Sequence, residues 1–260
     1  MVLIIAGNDP SGGAGLAADI QAVTALGAHP APVVAALTVQ DTRNAYAVQT
    51  QEAAFVAAQA RTVLEDLPVA AIKLGLLGSA AIGRAVADLL AEYPAIPMVC
   101  DPVLVAAGGA QLAEEELLAV YQQALLPRTA LLTPNALESR RLAPAAADAD
   151  ARAAQLLNNG ARYVLLKGGD EHTPRVHNTL YGPDGLRHTL DWERLPGQHH
   201  GSGCTLAAAC AALLAHGQDM VQAVGAAQAY TWRSLQQGWR LGGYADSQHI
   251  PNRQCHNSDA

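Results

Sequence analysis

Short runs of β-branched and leucine residues alternate along the chain with longer stretches in which apolar positions recur every three or four residues. The short runs predict strands over Val2–Ala6, Val33–Val39, Ala70–Leu74, Met98–Cys100, Ala130–Thr133 and Tyr163–Leu166. The longer ones predict helices over Leu16–Leu26, Glu52–Asp66, Ala80–Glu92, Glu114–Leu125 and Ala149–Asn158. Such alternation implies a parallel sheet with helices on both faces, because parallel neighbours need a crossover that packs back on the sheet. After Lys167 the rhythm changes. Val176–Tyr181 and Leu186–Trp192, separated by Gly182-Pro183-Asp184-Gly185, predict an antiparallel hairpin, and two helices follow over Cys204–Ala215 and Val221–Gln237. With no linker or repeat, one α/β domain is expected over residues 1–240, and an aperiodic polar tail, loosely held, over 241–260.

Composition narrows the class. Half of the 260 residues are apolar and 15% are charged, which suits a packed core and not a disordered chain. Alanine dominates the apolar half and aromatics are only 4%, so core volume must come from Leu, Val and Ile. A net charge of −7 without any basic run argues against a general nucleic-acid binder. The Leu206–Ala215 run falls well short of the roughly 20 residues that a membrane helix needs. The first residues read as a strand and not as a signal peptide, so a cytoplasmic protein is expected. Four cysteines without CxxC spacing do not suggest a disulfide framework or a zinc ribbon.

Four segments could carry chemistry, each placed where a strand ends or a helix begins. Gly7-Asn8-Asp9-Pro10-Ser11-Gly12-Gly13-Ala14-Gly15 joins a strand to a helix and lets backbone approach a ligand, although a tight turn alone would use some of these glycines. It is not the dinucleotide fingerprint, whose glycine spacing differs, and neither lysine follows a glycine as a P-loop requires. His200-Gly201-Ser202-Gly203-Cys204 opens the alanine-rich helix; its N–H groups could form an anion hole, and Cys204 in the first turn is expected to have a lowered pKa and to serve as a base. Thr133-Pro134-Asn135-Ala136-Leu137-Glu138 puts Asn135 and Glu138 on one face of a helix start, where they could hold hydrated Mg²⁺ or form an ordinary capping box. Lys167-Gly168-Gly169-Asp170 suits a phosphate contact or a turn. All four sit at the edge where open α/β sheets bind ligands.

In order, AGNDPSGGAGLAAD, ALTVQDT (Ala36–Thr42), KLGLL (Lys73–Leu77), DPVLVA (Asp101–Ala106), TPNALE, KGG and HGSGCTLA resemble the hydroxymethylpyrimidine/phosphomethylpyrimidine kinases of thiamine synthesis, within the ribokinase-like superfamily. The resemblance spans residues 2–216 and implies a three-layer α/β/α fold, a homodimer, ATP with Mg²⁺, and two successive phosphorylations of 4-amino-5-hydroxymethyl-2-methylpyrimidine. It implies that Gln40 pairs with the aminopyrimidine edge, that Gly7, Ala14, Asp19, Leu76 and Val103 surround the ring, and that Cys204 holds the catalytic position beside Gly201, Ser202 and Gly203. Lys167, Asn135 and Gly169 would meet the phosphates, and Glu138, Asn135 and Asp101 the metal. Three positions depart from the family pattern: Ala107-Gly108-Gly109 replaces a common Lys-Ser-Gly, Asp170 a common histidine, and His199 a small polar residue. A pyridoxal kinase of the same superfamily and a non-catalytic pyrimidine-binding regulator are the competing readings.

Overall fold

A computed structural model describes residues 1–104 and 115–255. The strands are β1 (Val2–Asn8), β2 (Pro30–Gln40), β3 (Ala45–Thr50), β4 (Ala71–Leu74), β5 (Met98–Cys100), β6 (Leu131–Leu132), β7 (Val164–Leu166), β8 (Arg175–Tyr181) and β9 (Arg187–Glu193). The helices are α1 (Gly15–Ala25), α2 (Ala53–Asp66), α3 (Ala80–Leu90), α4 (Glu115–Val120), α5 (Ala136–Leu142), α6 (Ala149–Asn158), α7 (Ser202–Ala215) and α8 (Met220–Gln236). They build one nine-stranded sheet in the order β3-β2-β1-β4-β5-β6-β7-β8-β9. Its middle, from β2 to β7, is parallel; β3 adds antiparallel to one edge, and β8 and β9 to the other.

Period-two alternation on the central strands feeds two cores. Leu3 and Ile5 of β1 point into one apolar cluster with Val56 of α2, Val86 of α3, Leu117 of α4 and Leu156 of α6. Val2, Ile4 and Ala6 point into the other, with Val23 of α1, Ala207–Ala212 of α7 and Ala223 of α8. Helices thus cover both faces, giving the expected three-layer α/β/α arrangement. The alanine run has a specific use here: α7 is buried almost all round from Thr205 to Leu213, and small side chains let it lie close to the sheet. Cys210 is one of those packing residues, wholly buried.

Two parts differ from expectation. Strand β3 was not predicted, because Ala45–Thr50 sits on an edge with only Ala45 buried and lacks the apolar run of a central strand. The segment 241–255, expected to be loose, is anchored: Ser247, Gln248, Ile250 and Arg253 are buried, while residues 256–260 of the expected tail lie outside the described residues. Hydrophobic periodicity could not show this, since the segment docks through hydrogen bonds and not through an apolar face. The Ala107-Gly108-Gly109 departure lies outside the described residues.

Candidate active site

The parallel strands end along one edge, and a cleft of about 590 Å³ opens there, within the roughly 300–1,000 Å³ usual for small-molecule sites. The glycine loop after β1 forms one wall. Asp9 organises that loop: its carboxylate accepts from Ser11 N (2.8 Å), Ser11 Oγ (3.0 Å) and Ala14 N (2.8 Å). It also lies 2.7 Å from His200 Nε2. Burial would raise the Asp9 pKa, but the imidazole and the Ser11 bonds outweigh it and hold the carboxyl below its ordinary value. The second glycine loop faces the first. Gly201 has φ +78°, and a Cβ there would collide with the Gly13 carbonyl.

Gln40, at the end of β2, lines the cleft. Its amide oxygen accepts from Thr38 Oγ1 (3.1 Å) and its amide nitrogen lies 3.1 Å from His200 Nε2. Gly7, Ala14, Leu76 and Val103 line the same region. A Cβ on Gly7 would stand 2.9 Å from Leu76 Cδ2, so the glycine makes room for that side chain.

Asp19 is elsewhere. It is fully buried behind the cleft, where its Oδ2 accepts from Lys73 Nζ at 2.7 Å. Burial raises the Asp19 pKa to about 6, with Lys73 opposing. Asp19 therefore holds Lys73, whose side chain does line the cleft, and is not itself one of the lining residues. The i, i+3 register of α1 turns Asp19 inward with Leu16 and Ala22.

Beyond β5 and β7 the second buried ion pair joins Lys167 Nζ to Asp101 Oδ1 at 2.9 Å, and Thr133 Oγ1 donates to the same oxygen at 3.2 Å. Burial would raise the Asp101 pKa, but Lys167 and Lys73 bring it below the usual value. A Cβ on Gly203 would lie 2.9 Å from Lys167 Nζ, so this glycine admits the lysine to the anion loop. Asn135 and Glu138 form the capping box: Glu138 N donates to Asn135 Oδ1 and Asn135 N to Glu138 Oε2, both at 2.8 Å. Both residues nevertheless line the cleft. Burial pushes the Glu138 carboxyl up to about 7, Asp101 adding to the rise and Lys167 opposing it.

Gly201, Ser202, Gly203 and Cys204 all face the cleft. The expected low pKa of Cys204 is reversed, however. Burial pushes the thiol up to about 12; Lys73 pulls it down, while Asp101 and Asp19 add to the rise. A helix terminus carries only about half a charge, too little to offset removal of a thiolate from water. Gly169 lines the cleft and its carbonyl accepts from Arg194 Nη1 at 2.8 Å.

Sequence reasoning missed the far wall. Val176, Asn178, Trp192, Gln228, Thr231 and Trp232, from the β8–β9 hairpin and α8, line it. No motif marks these residues, because each element contributes one or two side chains from a different part of the chain. His200 and Asp9 lie inside the two glycine motifs, but the motifs alone give neither side chain a role; an Asp that opens a Pro-Ser-Gly-Gly turn is the available signal.

A parallel α/β sheet whose strand ends carry two facing glycine loops and a lysine defines a small-molecule kinase of the ribokinase-like kind. The chain belongs to the phosphomethylpyrimidine kinase family, which its sequence matches over residues 9–249. The hydroxymethylpyrimidine/phosphomethylpyrimidine kinase of Streptomyces coelicolor is 39% identical, over 94% of this chain and 91% of the relative. The thiamine biosynthesis bifunctional protein ThiED of Geobacter sulfurreducens is 38% identical over 96% of this chain, which spans only 52% of that longer protein. Pyridoxal kinase from Staphylococcus aureus, solved with AMP-PCP and pyridoxal, superposes with a TM-score of 0.87 at 26% identity, over 99% of this chain and 95% of that one. Phosphomethylpyrimidine kinase from Clostridium difficile gives 0.77 at 29% identity, over 88% and 96%.

Proposed function

We propose that the protein phosphorylates 4-amino-5-hydroxymethyl-2-methylpyrimidine with ATP and then converts the monophosphate to the diphosphate, as a step of thiamine synthesis. The observation that carries this reading is one cleft that gathers Gln40, both glycine loops, Cys204 and Lys167. Gln40 offers a donor and an acceptor side by side, which complements an aminopyrimidine edge. The ring would lie against Leu76 and Val103, with its hydroxymethyl group toward Cys204.

Backbone N–H groups from Gly201 to Cys204 and the Lys167 ammonium would stabilise charge on the phosphoryl group in transfer. Cys204 would take the hydroxyl proton in the first reaction. With its pKa near 12 the thiol is protonated at rest, so the thiolate is a minority species whose population the Lys73 charge increases. In the second reaction the acceptor is already an anion and needs no base. Mg²⁺ suits the donors present: Asp101 and Glu138 are two buried carboxylates that share Lys167 as a neighbouring cation. Such an ion would neutralise triphosphate charge, Glu138 and Asn135 being its holders with water completing the shell.

Two further parts belong to this proposal. Leu37 and Val39, two residues apart on β2, are both exposed near the sheet edge, which supports a homodimer through that face. Among the described residues no helix is long and apolar enough to cross a membrane, which accords with a cytoplasmic enzyme. The test is incubation with the pyrimidine alcohol, ATP and Mg²⁺, with mono- and diphosphate products separated. Consumption of neither acceptor would sink the proposal. Pyridoxal is the second substrate to try, because a pyridoxal kinase superposes so well on this chain.

A further inference from the structure

The segment after α8 runs back to the cleft and fastens three loops. Arg43, in the turn between β2 and β3, lies 3.9 Å over the Tyr244 ring and 3.8 Å from the Asp246 carboxylate. Next to it, Gln248 N donates to Thr42 O at 3.2 Å. The following residue joins the loop before α7: His200 N donates to His249 O and His249 N to Gln198 O, both at 2.8 Å. Arg253, 1% exposed, completes the set. Its Nε donates to Thr205 Oγ1 at 2.8 Å, its Nη1 to Gln21 Oε1 at 3.2 Å and Gly12 O at 3.4 Å, and its Nη2 to Gly13 O.

Among the described residues all four acceptors of Arg253 are neutral. Burying a guanidinium without a carboxylate in contact is costly, and burial accordingly lowers its pKa. An arginine kept only for stability would do better with an acidic partner. What this one grips is informative: Gly13 O is the carbonyl that a side chain on Gly201 would strike, and Thr205 belongs to the first turn of α7. Arg253 therefore sits on the seam between the glycine loop and the anion loop. The planar fork suits this, since three nitrogens can bind four acceptors only from one fixed orientation.

We propose that Arg253 is a positioning residue for phosphoryl transfer, clamping the Gly12–Gly13 carbonyls to the start of α7 so that the two glycine loops keep one spacing. The inference rests on the kinase reading given above. A shift of about 1 Å between such loops can cost on the order of 100-fold in rate.

The test compares wild type, Arg253→Met and Arg253→Lys by steady-state kinetics at a temperature well below each thermal midpoint. Arg253→Met is expected to lose about 10- to 100-fold in kcat with the KM for ATP changed less than about threefold. Arg253→Lys keeps the charge but not the fork, and should recover only part of the loss. If Arg253→Met does not fold, Arg253→Lys decides alone, with a kcat reduction of about fivefold or more expected. A folded variant with kcat within twofold of wild type overturns the proposal, as does a defect confined to the thermal midpoint. Failure of wild type to phosphorylate the pyrimidine at all would instead defeat the kinase reading.

Discussion

The two walls of the cleft are held by different forces. On the wall formed by the glycine loops and the start of α7, backbone is fixed by charged groups: Asp9 with His200, Lys73 with Asp19, Lys167 with Asp101, and Arg253 on four neutral acceptors. On the opposite wall Glu193 and Arg194 lie at the end of β9, and the groups between the hairpin and α8 are uncharged. Gln228 Oε1 accepts from Asn178 Nδ2 (3.0 Å) and Trp192 Nε1 (2.9 Å), and Trp192 stacks on Trp232 with 6.2 Å between ring centres. Where charge must develop during a reaction, preorganised ions and N–H groups stabilise it without further rearrangement. Where a flat, neutral base would rest, shape and a few amide contacts suffice. Under the proposed kinase function the chemistry would fall to the first wall and nucleotide recognition to the second.

The sharpest way to break that division is Cys204→Ala. Phosphorylation of the alcohol is expected to fall by about 100-fold or more, while phosphorylation of the monophosphate falls by less than about tenfold. Equal loss in both would make Cys204 a spacer. The pH profile gives a second reading of the same residue. With a pKa near 12, the thiolate fraction rises with pH throughout the neutral range, so the rate with alcohol should climb about tenfold per unit. The rate with the monophosphate should lack that slope, and so should Cys204→Ala.

Lys167→Met comes next. It removes the charge from the phosphate region and leaves Asp101, only 2% exposed, without its ion partner. Both phosphorylations should drop by about 100-fold, and stability should fall by about 3–5 kcal/mol, the usual result of unpairing a buried charge. Adding Asp101→Asn should restore much of the stability and none of the activity. Denaturant titrations beside product assays separate the two outcomes.

Gln40→Leu addresses specificity within the charged wall. It takes away the paired donor and acceptor and leaves Thr38 Oγ1 without the amide oxygen that it now contacts at 3.1 Å. Expected is a loss of about 10- to 100-fold in kcat/KM for the aminopyrimidine, with a smaller loss for pyridoxal. An equal loss for both would remove Gln40 from the selectivity argument.

How much of this was legible in sequence follows from the same contrast. The charged wall is made of contiguous loops, so GNDPSGGAG, TPNALE, KGG and HGSGC each carried their glycines, caps and lysine as a readable string. The sheet, too, followed from apolar periodicity, apart from the exposed edge strand β3. Four things were hidden. The pKa of Cys204 depends on burial, which a helix-start position does not reveal. The inward turn of Asp19 depends on α1 packing. Arg253 and Gln248 belong to a segment without periodicity, whose anchoring consists of single hydrogen bonds to distant loops. The far wall was hidden for a related reason: Asn178, Trp192 and Gln228 meet only after the hairpin and α8 have docked.

The smallest expected effect falls on that neutral wall and sharpens the contrast most directly. In Gln228→Leu the shape is nearly kept, but Asn178 Nδ2 and Trp192 Nε1 lose their shared acceptor. Each is a neutral donor, and Gln228 is 3% exposed, so the stability cost should be about 1–3 kcal/mol and not the larger cost of an unpaired ion. Asn178 also accepts from Gly168 N at 3.0 Å, which links the wall to the loop after Lys167. A loosened Asn178 should therefore raise the KM for ATP about three- to tenfold. It should leave the KM for the pyrimidine within about twofold and kcat nearly unchanged, because no charged group has moved. A kcat loss comparable to that of Lys167→Met would mean that the two walls act as one mechanical unit, and the division of labour between them would have to be given up.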